Sequence, residues 1–152
     1  KQCYTIKKWE EPTEGKMVWK FNVFKTNSKG GIERDITFGN NSYYWIDYNG
    51  LHFHFASLND KSQDDTEDAV TWFISSVIKF TCPIATKQSS IFADNLIKTV
   101  KNENPNSAED IDIFISWKSL AMVIEHTIMP ELNDIKVHIN GSSYNIMMSN
   151  TE

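Results

Sequence analysis

Arginine is nearly absent from this sequence: Arg34 is the only one in 152 residues, and the other positive charges are lysines. Arginine is the side chain that grips phosphates and base edges bidentately, and nucleic-acid-binding domains usually cluster it in a basic patch. With 20 acids against 15 bases and a net charge of −5, nucleic acid is not the expected partner; a basic protein suits this charge balance better. Long apolar runs are missing too. The most apolar window, 69–80, is broken by Thr71, Ser75, Ser76 and Lys79, short of the ~20 residues that a helix needs to cross a bilayer. Cysteine occurs twice, as Cys3 and Cys82, which is too few and too widely spaced for a zinc motif. Two buried thiols, or one disulfide tying the N-terminal segment to a helix end, both fit. The chain opens at Lys1 without Met, which suits removal of a secretion signal or trimming, so an extracytoplasmic setting (periplasmic or secreted) is slightly preferred over a cytoplasmic one.

Catalytic signatures are lacking as well. There is no Gly-x-Ser-x-Gly elbow and no phosphate-binding glycine loop after Gly30-Gly31. Cys82 follows a helix C-terminus, the wrong end to stabilise a thiolate. The acids of 60–68 lack the glycine and terminal glutamate of a calcium loop; they read instead as the negatively charged start of a helix, with Asp65 or Thr66 as its cap. The expectation is a chain that is not an enzyme and uses no cofactor.

Rings are what the sequence has in plenty: five Trp, five Tyr and nine Phe, enough to fill a core and leave material for a surface. Hydrophobic residues make up 40% and charged residues 23%, a globular composition that fits one domain over 1–152. Residues 1–15 read as an extended lead-in with an edge strand over 3–8. Residues 17–25 and 32–38 alternate with period two around a turn, forming a hairpin in which Met17, Trp19, Phe21 and Val23 share a face. Arg34 is in phase with the apolar set and should lie among Trp19 and Phe21 as a snorkelling or ring-stacked side chain. Two helices follow, at about 66–80 and 88–101, the first burying Val70, Phe73, Val77 and Phe80 and the second Phe92, Leu96 and Val100. Residues 111–117 alternate as a strand. Residues 119–129 carry both helical and strand spacing, and helix is preferred. A last hairpin turns at Asn140-Gly141, pairing Val137 with Tyr144, Ile135 with Ile146 and His138 with Ser143. Strands, two central helices and more strands predict an α+β fold with a largely antiparallel sheet built from hairpins.

The strongest local signal is 43–56, where Asn49-Gly50 separates two alternating runs. A two-residue loop there pairs Asp47 with His52, Trp45 with His54 and Tyr43 with Ala56 on one side. Tyr48, Leu51, Ile46, Phe53, Tyr44 and Phe55 are left on the other side, which should be the core. The first side gathers Tyr43, Trp45, Asp47, His52 and His54, and these are the candidate binding residues. If helices cover that side, it is a second buried layer; if not, it is an exposed aromatic patch of the kind that meets a partner. His52-x-His54 with Asp47 opposite also has the donors of a two-histidine, one-carboxylate metal site, although no metal is expected on so weak a pattern.

No family is recognisable at motif level. The expected function is a non-enzymatic protein-binding domain, an inhibitor or immunity-type protein that neutralises another protein. The alternatives are a small-ligand or divalent-metal-binding domain using the His-x-His face, and a secreted enzyme of unrecognised type.

Overall fold

Period-two alternation dominates the chain, and strands dominate its structure. The computed structural model describes residues 3–36, 42–56, 66–81, 86–103, 110–126 and 134–148. In chain order the elements are β1 (Cys3–Thr13), β2 (Lys16–Thr26), β3 (Ile32–Ile36), β4 (Tyr43–Asp47), β5 (Gly50–Phe55), α1 (Thr66–Thr81), α2 (Thr86–Glu103), β6 (Ile111–Ser116), α3 (Trp117–Glu125), β7 (Asp134–Ile139) and β8 (Ser142–Met147). The strands form one antiparallel sheet in the order β1-β2-β4-β5-β6-β7-β8, with β3 also pairing β2. The fold is α+β. The helices expected at 66–80 and 88–101 are present with slightly wider bounds, and 117–125 is a third. No helix among the described residues is long and apolar enough to cross a membrane.

The N-terminal segment departs most from expectation. β1 runs well past Lys8 and pairs with β2 from Cys3↔Thr26 to Thr13↔Lys16. Its charges fall on both faces, which hides the alternation. The hairpin closes at Glu14-Gly15, where both residues take positive φ (48° and 80°), the backbone of a two-residue primed turn. Pro12 is tolerated because β1 is an edge strand.

β2 divides its second edge between two partners. Trp19 and Lys20 pair with Tyr44 and Tyr43 of β4, while Val23 to Thr26 pair with β3. This corrects the placing of Arg34. It stands opposite Lys25 and is exposed, because β3 meets only the distal half of β2, away from Trp19 and Phe21. Met17 is also exposed, at 57%, on the part of β2 near the hairpin end.

The core lies on one face of the sheet. Phe21, Tyr44, Phe53 and Phe55 meet Phe73 of α1, with the Phe21 and Phe73 rings stacked at 3.9 Å. Ile111, Ile113 and Ile115 of β6 continue this face, followed by Ile135, Val137 and Ile146. α1 buries Val70, Phe73 and Val77 as its spacing predicts, together with Ile74 and Ile78. Phe80 does not join them: it is 66% exposed at the helix end, with Lys8 Nζ 4.4 Å from its ring centre. α3 begins where β6 stops. Ser116 caps it, its Oγ accepting from the Ser119 amide, so Trp117 belongs to the helix and not to the preceding strand. Cys82 and the proposed cap Asp65 lie outside the described residues.

The two Asn-Gly turns behave differently. At Asn140-Gly141 both residues have positive φ (51° and 84°), and the register is the expected one. In the β4–β5 hairpin the turn moves back one residue, to Tyr48-Asn49. Asp47 faces Gly50, Trp45 faces His52 and Tyr43 faces His54, correcting the partners derived from an Asn49-Gly50 loop. The cause is Asp47, whose Oδ1 accepts from the amides of Asn49 (2.8 Å) and Gly50 (3.2 Å), an Asx turn. Gly50 serves the sheet as well: a Cβ there would sit 2.3 Å from the Ile115 carbonyl oxygen of β6. The two registers differ by an even number of residues, so the strand side chains keep their faces, but Ile46 and the turn residue Tyr48, expected in the core, are exposed at 45% and 87%.

Gly50→Ala is therefore expected to cost about 3 kcal/mol, combining backbone clash with a positive φ of 145°. Gly141→Ala, where nothing lies within 4 Å of the added Cβ, should cost only roughly 1 kcal/mol. Urea unfolding of the two variants tests this; equal losses would contradict the close approach of β5 and β6.

Candidate binding face

Because α1 and α2 pack on the Phe53 face, the alternate residues of the central strands point to the other side of the sheet. Tyr43, Trp45 and Asp47 come from β4, and His52 and His54 from β5, so the five candidates share this side. Strand order brings in residues that no single hairpin reveals. His52 pairs with Phe114 and His54 with Asp112 on β6, and Phe114 pairs with His138 on β7.

These pairings make a row of rings across four strands. Trp45 and His52 are stacked, 4.5 Å apart and 3° from parallel. His52 lies 4.7 Å from Phe114, and Phe114 lies 5.8 Å from His138. Lys16 Nζ closes one end, 4.0 Å from the Trp45 ring centre, a cation–π distance. Trp45, His52, Phe114 and His138 are all half-buried. Together with Asp112 and Gly141 they line a shallow hollow of about 350 Å³.

A second row runs beside the first. Tyr43 stacks on His54 at 4.8 Å, and Lys20 Nζ lies 5.8 Å from the Tyr43 ring. His54 is held at both ring nitrogens, Nδ1 to Asp112 at 2.6 Å and Nε2 to Asp110 at 3.2 Å. Both contacts are hydrogen bonds only in the doubly protonated ring, since a carboxylate accepts and does not donate. Tyr43 is only 9% exposed. Its burial first, and then the charges of Glu14, Asp112 and Asp110, push its hydroxyl pKa up, so it remains a neutral phenol.

Asp47 joins the first row through His52 Nε2 at 3.1 Å. Its partial desolvation works against ionisation. The Asn49 amide, His52 and the Gly50 amide outweigh that and hold its carboxyl below the ordinary aspartate range. Trp117 Nε1 donates to the Asp47 carbonyl at 3.0 Å, tying the α3 start to this turn. The Asp47 carboxylate thus serves the turn and His52 together. Among the described residues, no three His, Cys, Asp or Glu side chains are grouped so as to hold a metal ion.

Six participants escape a hairpin-by-hairpin reading: Lys16, Lys20, Asp110, Asp112, Phe114 and His138. Alternation already turns Asp112 and Phe114 to the outward side of β6, and the Asn140-Gly141 register turns His138 outward. The missing information is which strands are neighbours. The chain matches no family model, no curated protein and no solved structure.

The lowered Asp47 carboxyl makes a pH prediction. Its stabilisation is complete above the ordinary aspartate range and is lost as pH falls through the lowered value. Asp47→Asn keeps an oxygen acceptor for the two amides but removes the charge. It should lose less than about 1 kcal/mol near neutrality, since the group is exposed, and match the wild type in strong acid. Urea melts across pH measure the gap; one that stays constant would contradict this role of the charge.

Proposed function

We propose that this open sheet face is a docking surface for another protein, and that the chain is a non-enzymatic binding domain of inhibitor or immunity type. The observation that carries the reading is the four-ring row of Trp45, His52, Phe114 and His138, set on the side of the sheet opposite α1 and α2. Trp and Tyr dominate binding energy at protein interfaces, and a contiguous aromatic patch rimmed by polar groups is a mark of such sites. The rim here holds exposed Asp47, Asp110 and Asp112, and the chain carries a net charge of −5. Both favour a partner with a basic surface, drawn in by long-range attraction.

A second reading takes the hollow alone as a small-ligand site. Its volume of about 350 Å³ is near the lower end of the ~300–1,000 Å³ usual for such sites. Its open, shallow form suits an inserted side chain of a protein partner better than an enclosed ligand.

Affinity co-purification from the source organism, read by mass spectrometry, tests the proposal. The wild type should capture a stoichiometric basic protein, and Trp45→Ala should lose it while costing only about 1 kcal/mol of stability. Failure to recover a stoichiometric partner, or equal capture by the variant, counts against a docking face. A stability loss of about 3 kcal/mol or more would make Trp45 a core residue.

A further inference from the structure

On the helix side of the sheet, where Tyr4 of β1 approaches α1 and α2, lies a second and larger cleft of about 580 Å³, within the ~300–1,000 Å³ range of small-molecule sites. Its lining is unusual for a seam between two helices. Thr71, Ser75 and Ser76 of α1 and Ser90 of α2 supply hydroxyls, Trp72 supplies a ring and Lys79 an ammonium. Ser75 is only 4% exposed, and its Oγ lies 3.3 Å from Ser90 Oγ across the seam.

Thr71 is the informative residue. Ser76, Thr81 and Thr99 each return their hydroxyl to the carbonyl four residues earlier, at 2.9–3.0 Å, the usual fate of a helical hydroxyl. Thr71 Oγ1 does not. It is buried and has no hydrogen-bond partner, a condition that native structures rarely tolerate without a reason. A ligand oxygen that displaces the groups covering it would satisfy it.

The remaining chemistry narrows the ligand class. Among the described residues that line this cleft, in a protein of net charge −5, there is one lysine and no acid. Thr71, Ser75 and Lys79 are spaced four apart and so lie in one row along α1, and helical lysines lean toward the helix N-terminus, here toward Ser75. Trp72 stands next to this row, its ring 5.6 Å from that of Tyr4, and is half open to solvent. We propose that this cleft is a binding site for a small aromatic carboxylate bearing a second polar group. The carboxylate faces Lys79 and Ser75, the ring lies against Trp72, and the polar group meets Thr71.

The site is separate from the open sheet face, so each can fail alone. Titration of the full ¹⁵N-labelled chain with 4-hydroxybenzoate, followed by NMR, tests it. Saturable shifts at the amides of Thr71, Ser75 and Ser90 are expected, with a Kd of about 1 mM or tighter, as suits a fragment-sized probe. The neutral amide, 4-hydroxybenzamide, should bind roughly tenfold more weakly, as should the Lys79→Met variant to the acid. Thr71→Val should weaken binding severalfold with no fall in melting temperature, because it removes a hydroxyl that the free fold leaves unbonded. Absence of saturable shifts at these amides, equal binding of acid and amide, or unchanged affinity in Lys79→Met would overturn the proposal. So would a marked drop in the melting temperature of Thr71→Val.

Discussion

Phe73 holds the architecture together. It stacks on Phe21 and meets Tyr44, Phe53 and Phe55 near edge-on, so one helical side chain contacts rings from three strands. Such pairs add about 0.5–1.5 kcal/mol each beyond simple burial. They also settle the orientation of the sheet. Once α1 is seated on the Phe53 face, the helices are committed to that side, and the alternate residues of β4 and β5 are turned away from them. The ring row on the open face is therefore a by-product of where the helices pack. No helix of the described residues lies above Trp45 and His52; they stack on each other, and each keeps part of its surface accessible.

The open face also manages its charges locally. Exposed carboxylates sit beside imidazoles, Asp47 with His52 and Asp110 and Asp112 with His54, while Lys16 and Lys20 lie near the rings of Trp45 and Tyr43. Exposed ion pairs of this kind contribute little to stability. Their larger effect is on geometry: His52 and His54 are each held by a carboxylate and an adjacent ring.

How much of this was legible in the sequence depends on which rule each segment obeys. Side-chain faces were readable because period two survives a shift of register by an even number. Tyr43, Trp45, Asp47, His52 and His54 share a side whether the loop is Asn49-Gly50 or Tyr48-Asn49. Cross-strand partners were not readable at that turn, because the Asp47 carboxylate competes for the same amides that an Asn-Gly loop would leave free. At Asn140-Gly141, where the residue before the turn is Ile139 and offers no such acceptor, the rule holds. β1 was under-read since its lysines and glutamates occupy both faces of an edge strand, where burial imposes no pattern. Arg34 was misplaced because phase says which side a residue takes but not how far along its neighbour it sits. Phe114 and His138 could be turned outward from sequence but not joined to His52, since adjacency of β5, β6 and β7 is a long-range property.

The pairing of β5 with β6 separates in time what it joins in space. Phe55 opposes Ile111, and the intervening chain holds both long helices, whereas β4–β5 and β7–β8 are joined by tight turns. Local hairpins form quickly, and pairings that enclose long loops come later and limit the rate. Trp45 and His52 can meet as soon as their own hairpin closes. Phe114 and His138 reach them only when β6 has paired with β5 and β7 with β6. A chain in which β6 has not paired with β5 holds fragments of the ring row and no hollow, so the complete face exists only in the finished sheet.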